Sequence, residues 1–136
     1  MSSVVINKIE TINRCIDRIN QEFSSDEEFL SNYTKQDSVI LNLERLSQAT
    51  IDIATHIIRV RNLTLPNSSR EVFDILQNAN YITKQTSINM QKMVGFRNIA
   101  VHDYQNLNIE IVINIVKNHL SDFDIFKKEI SNSFLG

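Results

Sequence analysis

Glycine, proline and cysteine are scarce in this chain, and tryptophan is absent. The 136 residues include two glycines, one proline and one cysteine. Few residues therefore favour the tight turns that join neighbouring β-strands, so a sheet with many hairpins is a poor prediction. Cys15 cannot form an intramolecular disulfide, and its place in an apolar stripe is typical of a buried structural thiol. These absences favour a helical protein.

The chain also lacks long apolar runs and a recognisable export signal. No apolar run approaches the roughly 18 residues that a membrane-spanning helix needs. The N-terminal residues do not combine a basic segment, an apolar segment and a small-residue cleavage site. A length of 136 residues with 42% apolar and 22% charged residues fits one globular domain over residues 1–136. We expect it in the cytoplasm, without a membrane partner.

The sequence contains none of the common signatures of cofactor-dependent or metal-dependent enzymes. There is no Gly-rich phosphate loop, Cys-x-x-Cys, His-Glu-x-x-His or Gly-x-Ser-x-Gly. P-loop, zinc-protease and α/β-hydrolase chemistry are therefore poor predictions. We expect neither a cofactor nor a metal site.

The charge is small overall but uneven along the chain. The formal net charge is −2, and residues 1–58 carry five Lys or Arg against nine Asp or Glu. Residues 59–97 reverse this balance, with only Glu71 and Asp74 against six basic residues: Arg59, Arg61, Arg70, Lys84, Lys92 and Arg97. A basic middle segment permits contacts with RNA phosphates, although the same charges also suit an ordinary solvated surface.

Apolar residues recur at spacings of three and four, which indicates amphipathic helices. The first two long stripes are Val5, Ile9, Ile12, Ile16, Ile19 and Phe23, and then Val39, Leu43, Leu46, Thr50, Ile53, Ile57 and Val60. Between them, Ser25 and Glu28 are spaced as a capping box that opens a short helix.

The remaining stripes complete an all-α fold. Ser68 and Glu71 predict the start of a third helix, whose buried residues are Val72, Ile75, Leu76, Ala79 and Ile82. A fourth helix is predicted from near Thr86–Ser87 toward Val101. A last one follows Asn108 and buries Ile109, Val112, Val116, Leu120, Phe123 and Ile130. We predict a compact antiparallel bundle of four main helices plus a short one.

The densest set of reactive side chains lies in residues 97–104. This segment contains Arg97, Asn98, His102, Asp103 and Tyr104. RNA cleavage by its own 2′-hydroxyl needs a base, an acid for the leaving oxygen and a cation for the phosphate transition state. Histidine and arginine supply these functions without a metal, and the arginine fork matches phosphate geometry. A surface arginine and a histidine that favours a helix C-terminus would leave the same pattern.

The spacing of Arg97 and His102 argues against a site made by one continuous helix. Side chains five residues apart on an α-helix are separated by roughly 140° around its axis. Either the helix ends before His102, or a second subunit completes the pair. The small residues Gly95 and Ala100 fit the second alternative, because they let two backbones approach closely.

The same segment resembles the HEPN superfamily, and in particular its HepT-like toxin branch. That branch carries Arg, a polar residue, three mostly apolar residues, His, one variable residue and Tyr. Here Arg97, Asn98, the trio 99–101, His102 and Tyr104 match this pattern, and Gly95-Phe96 and the stretch from Asp37 to His56 are also similar. The resemblance covers roughly residues 5–130.

The resemblance implies a homodimeric, metal-independent ribonuclease with a composite site at the dimer cleft. Arg97 would bind and polarise the scissile phosphate, His102 would act as general base or acid, and Asn98 would orient the phosphate or the histidine. The substrate would be RNA, either tRNA or mRNA, rather than DNA. The partner would be an MNT-type nucleotidyltransferase antitoxin that attaches AMP to Tyr104.

Two other functions fit the sequence. The chain could be a non-catalytic nucleotide-binding or adaptor subunit of a two-component nucleotidyltransferase, in which Arg97 and Lys92 contact nucleotide phosphates. It could also be a plain dimerisation bundle, because a fold does not fix a function. Toxicity of the chain expressed alone distinguishes the ribonuclease from both.

Overall fold

The computed structural model describes residues 2–136, which form helices joined by short connections. Seven α-helices occupy most of this range: α1 (Ser2–Glu22), α2 (Asp26–Ser31), α3 (Tyr33–Val60), α4 (Glu71–Asn78), α5 (Lys84–His102), α6 (Ile109–Asn118) and α7 (Leu120–Ile130). A 3₁₀ turn spans Tyr104–Asn106, and a π-helical turn spans Ser131–Leu135. No strand occurs within the described range. The predicted all-α fold is confirmed.

Helix α3 lies at the centre of the bundle and contacts α1, α4 and α5. The Lys8 ammonium on α1 pairs with the Asp52 carboxylate on α3 at 3.0 Å. Farther along α1, Arg18 shares a cleft with Asn42, so α1 and α3 are antiparallel. On the other side of α3, Tyr104 just after α5 contacts Asp37 near the start of α3. Helices α3 and α5 therefore also run in opposite directions.

Short polar side chains cap the N-termini of the helices that position the candidate site. The Asn32 amide oxygen accepts a hydrogen bond from the Lys35 backbone N–H at 3.0 Å, at the start of α3. Thr83 does the same for Thr86 at 3.2 Å, at the start of α5. Asn108 begins α6. Each satisfies a backbone donor that has no partner within its helix.

Asparagine ends two helices where glycine would be the usual residue. Asn62 follows α3 with φ 53°, and Asn80 follows α4 with φ 66°. In both cases the next residue donates its backbone N–H back to the helix, from Leu63 to Ile58 and from Tyr81 to Leu76, each at 2.9 Å. This is the Schellman arrangement, in which asparagine tolerates the left-handed conformation. A chain with two glycines can therefore still stop its helices sharply.

Two helix boundaries differ from the sequence prediction. The third predicted helix extends to Ile82, but α4 ends at Asn78 because Asn80 adopts the left-handed conformation. The last predicted helix is two helices, since the backbone at His119 leaves the helical conformation with φ −127° and ψ 0°. The apolar spacing continues across this break, so periodicity alone could not reveal it.

One core connects all the helices. Its largest fully buried side chains include Phe29, Phe73, Phe123, Phe126 and Leu46. The rings of Phe73 and Phe126 meet edge to face, with centroids 6.1 Å apart. This contact joins α4 to α7. Among residues 2–136, no helix is long and apolar enough to cross a membrane.

Ile53 and Ile125 provide a matched test of this core. Ile53 on α3 is fully buried, whereas the Ile125 side chain on α7 is 48% exposed. We expect Ile53→Ala to lower the free energy of unfolding by about 2–5 kcal/mol, because it removes buried methyl groups and leaves a cavity. Ile125→Ala should change it by less than about 1 kcal/mol. Urea unfolding followed by circular dichroism measures both, and equal losses would contradict the assigned core.

Candidate active site

Arg97 and His102 both belong to the last turns of α5. The helix is continuous from Lys84 to His102, and the Asp103 backbone N–H still donates to the Ile99 carbonyl at 2.8 Å. The helix therefore does not end before His102. The two side chains leave α5 in directions roughly 140° apart, as the spacing predicts. One protomer does not bring this pair together.

Arg97 lies on the side of α5 that faces α3. One of its guanidinium nitrogens, Nη1, donates to the Asn98 Oδ1 at 2.8 Å. Burial raises the pKa of the Glu44 carboxyl on α3, and the positive charges of Arg45 and Arg97 oppose that shift. Glu44 is therefore within electrostatic reach of Arg97. The predicted orienting residue Asn98 therefore contacts Arg97 within this protomer.

His102 lies on another face of α5 and is exposed. That face also carries Gly95 and Ile99, seven and three residues earlier. Beside it, α5 and α6 enclose an open groove of about 460 Å³ with a largely apolar lining that includes Phe96, Ile99, Leu107, Ile111 and Ile115. We call this the α5–α6 groove. His102 is not part of this lining, but Ile99, three residues before the candidate catalytic histidine on α5, is.

The two small residues of α5 have different surroundings within one protomer. A Cβ atom on Gly95 would lie 2.6 Å from Nη2 of Arg70, so glycine makes room for this guanidinium. Ala100 is buried in the core of its own protomer. Gly95 lines the α5–α6 groove, whereas Ala100 faces the interior. The exposed apolar side chains of Ile99 and Val101 are the better candidates for a subunit contact.

Tyr104 lies in the 3₁₀ turn that follows α5, and its side chain is 44% exposed. Its phenol donates a hydrogen bond to the Asp37 carboxylate on α3. Burial, the hydrogen bond to Asp37 and the charges of Asp37 and Glu44 together raise the pKa of Tyr104 to about 12. The phenol is thus fixed in position and protonated at neutral pH, yet accessible to a partner.

Asp37 and Glu44 are the site neighbours that the sequence analysis missed. They lie seven residues apart on one side of α3, and Asp37 is 67 positions from Tyr104. No local motif links them to residues 97–104. Only the antiparallel packing of α3 against α5 brings these carboxylates to the site.

The other histidines have structural environments. His56 is buried on α3, and its Nδ1 lies 3.4 Å from an Arg59 guanidinium nitrogen. His119 is half-buried between α6 and α7, where its Nδ1 lies 3.0 Å from the Asp122 carboxylate. Within residues 2–136, no group of three or more His, Cys, Asp or Glu side chains could hold a metal ion. His102 is therefore the histidine best placed for chemistry on an external substrate.

Comparison with known proteins gives close relatives over nearly the whole chain. An mRNA nuclease HepT of Shewanella oneidensis is 53% identical over 126 residues, which are 93% of this chain and 95% of that protein. A tRNA nuclease HepT of Aphanizomenon flos-aquae is 25% identical over 133 residues, which are 97% of this chain and 90% of the relative.

A solved structure agrees with the fold in detail. The tri-AMPylated Shewanella oneidensis HEPN toxin, in complex with MNT antitoxin, superposes with a TM-score of 0.93. It is 52% identical, and the match covers 97% of this chain and 99% of that chain. The family model described as "Ribonuclease HepT-like" matches residues 10–130. The chain therefore belongs to the HepT-like ribonuclease family.

Proposed function

We propose that this chain is the ribonuclease toxin of a toxin–antitoxin pair, which cleaves RNA in the cytoplasm. Its antitoxin is a nucleotidyltransferase of the MNT type that silences the toxin by attaching AMP to Tyr104. The observation that carries this proposal is the placement of Arg97, His102 and Tyr104 around the exposed end of α5. The chain is also 53% identical to an mRNA nuclease and 52% identical to a tri-AMPylated toxin bound to its antitoxin.

The chemistry follows from the two side chains on α5. His102 accepts the proton of the RNA 2′-hydroxyl while that oxygen attacks the adjacent phosphorus. The bond from phosphorus to the 5′-oxygen breaks, and the imidazolium formed at His102 gives its proton to this oxygen as it leaves. Arg97 donates to the phosphate oxygens as negative charge concentrates on them, and Asn98 holds its fork in place. The products are a 2′,3′-cyclic phosphate and a 5′-hydroxyl end.

A homodimer supplies what one protomer lacks. Arg97 and His102 diverge on one unbroken helix, whereas the α5–α6 groove leaves apolar surface exposed on the side of His102. A second copy that covers this surface removes apolar area from water and places its own α5 nearby. Arg97 of one copy and His102 of the other then form one site.

Substitution of Arg97 or His102 tests the catalytic roles. We expect Arg97→Ala and His102→Ala each to reduce RNA cleavage by at least about 100-fold, because each removes a charge-stabilising or proton-transfer group. Cleavage by the unchanged protein should persist in EDTA and leave 2′,3′-cyclic phosphate ends. Gel assays with end-group analysis measure both expectations.

Arg61→Ala is the matched control for Arg97. The Arg61 guanidinium lies over the Phe134 ring, 4.8 Å from its centroid, at the opposite end of the bundle from the start of α3. This variant should cleave RNA as the unchanged protein does. A strict requirement for Mg²⁺ or Mn²⁺, or normal cleavage by His102→Ala, would contradict the mechanism.

Subunit mixing tests the composite site. Arg97→Ala and His102→Ala proteins are inactive alone, but a mixed dimer retains one site with both an intact arginine and an intact histidine. We expect activity to return when the two are mixed and allowed to exchange subunits. Light scattering should show a dimer. No recovery after confirmed exchange, or full activity in a concentration-independent monomer, would exclude shared sites.

Tyr104→Phe tests silencing by the antitoxin. AMP on this phenol adds a phosphodiester charge and a bulky base beside Arg97, where the RNA phosphate would bind. After co-expression with the nucleotidyltransferase, intact mass and peptide mapping should show AMP on Tyr104. Tyr104→Phe should keep much of the cleavage activity, since the phenol has no proton-transfer role, and should escape silencing.

Tyr33→Phe is the matched control for this prediction. Tyr33 is 79% exposed, so accessibility alone would favour it over Tyr104. The Tyr33→Phe protein should be modified and silenced as the unchanged protein is. Inhibition of Tyr104→Phe by the partner, or an inhibited toxin without AMP, would contradict silencing through this phenol.

A further inference from the structure

One positively charged feature outside the site is a cleft between α1 and α3. It is lined by Thr11, Arg14, Cys15, Arg18, Asn42 and Arg45, and its volume is about 350 Å³. Three arginines thus line one concavity. We call it the arginine cleft. None of its residues belongs to residues 97–104.

The basic residues of the acidic N-terminal region divide into two kinds. Residues 1–58 contain five Lys or Arg. Lys8 and Lys35 form ion pairs with Asp52 and Glu28. The other three are the arginines of the cleft, and within the described range of residues 2–136 none of them forms an ion pair. The three basic residues of this region that lack a carboxylate partner therefore all line the arginine cleft.

The cleft has donors but few acceptors. Arg14 donates one hydrogen bond to Thr11 Oγ1 at 3.3 Å, which leaves most of its N–H groups unused. Arginine donates five N–H groups in a planar fork that fits the oxygens of a phosphate. Under the cleft, burial raises the pKa of the Cys15 thiol, and the positive charges of Arg45 and Arg14 oppose this shift. Cys15, at the bottom of the cleft, therefore lies in the positive potential of these arginines.

The arginine cleft and the candidate active site have one carboxylate neighbour in common. Arg45 follows Glu44 on α3, and the charges of both Arg45 and Arg97 act on the Glu44 carboxyl. Successive residues of a helix are 100° apart, so the cleft and the site lie on neighbouring sides of α3. An RNA strand that lies across this part of α3 can contact both the arginine cleft and the candidate active site. Glu44 separates the two cationic positions.

We propose that the arginine cleft binds backbone phosphates of the RNA on one side of the scissile bond. This inference rests on the proposed ribonuclease function and adds a binding site for the same substrate. The shared chemistry is a phosphate group, and we assign it to RNA because Arg45 of the cleft and Arg97 of the site both act on the Glu44 carboxyl.

RNA binding measured without cleavage tests this assignment. In a His102→Ala background, Arg14→Gln, Arg18→Gln and Arg45→Gln should each weaken binding of a fluorescein-labelled single-stranded RNA about three- to tenfold at moderate salt. The slope of log Kd against log salt concentration should fall by about 0.7 for each phosphate that the variant no longer neutralises. Fluorescence anisotropy gives both quantities, and circular dichroism shows that each variant is folded.

Arg61→Gln serves as the matched control, since it removes the same charge outside the cleft. It should leave Kd nearly unchanged. Folded cleft variants that keep the original Kd and salt slope would overturn the inference, whether or not the unchanged protein cleaves RNA. The opposite pattern, weaker binding by the variants without cleavage by the unchanged protein, would support the cleft and overturn the proposed ribonuclease.

A second binding experiment, with ATP, distinguishes RNA from a free nucleotide as the source of the phosphate. Calorimetry with ATP measures whether the cleft binds a free nucleotide. If ATP binds the unchanged protein and the Arg18→Gln variant loses this binding while its RNA affinity and salt slope stay constant, the assignment to RNA is wrong. If RNA binding weakens and ATP shows no binding to either protein, the assignment to RNA is supported.

Discussion

Burial of α3 between its neighbours is the interaction on which the other features depend. Fourteen of its 28 residues are buried, and at 1.5 Å per residue the helix is about 42 Å long. Different sides of this one helix carry Asp37 and Glu44 toward the end of α5, and Asn42 and Arg45 toward α1. A rigid helix fixes these groups relative to one another, so the position of Tyr104, the surroundings of Arg97 and the arginine cleft all follow from its packing.

The sequence predicted the helices well where packing imposes a three-four spacing and poorly where the chain turns. The stripe from Val39 to Ile57 is buried as expected, because a long helix is stabilised mainly by the packing of its apolar face. The end of α4 and the break at His119 depend on the backbone conformation of single residues. Asn80 could have been recognised as a helix stop, since asparagine tolerates positive φ, but His119 carries no such signal.

The candidate site was likewise predictable only where its residues are close together in the sequence. Arg97, His102 and Tyr104 lie within eight residues, so one local motif is enough to identify them. Asp37 reaches Tyr104 across 67 positions, and Arg45 joins Arg14 and Arg18 from another helix. Charge counted along the chain indicated only that residues 59–97, which include Arg97, permit contacts with RNA phosphates. In residues 1–58, the arginines without an ion-pair partner line the arginine cleft. Only the fold reveals this, because it shows that the two lysines of the same region are paired with carboxylates.

The carboxylates beside Tyr104 would give its proposed modification a direction. In the unmodified protein the phenol donates to Asp37, and Glu44 lies close enough to affect its pKa. A phosphodiester on the same oxygen removes that donor and places a negative charge beside two carboxylates, which repel it. Arg97 is the cation that acts on Glu44 from the α5 side, so attraction and repulsion favour the same displacement. The acidic side of α3 therefore holds the free tyrosine in place and, under the proposed silencing, would direct AMP on Tyr104 toward Arg97.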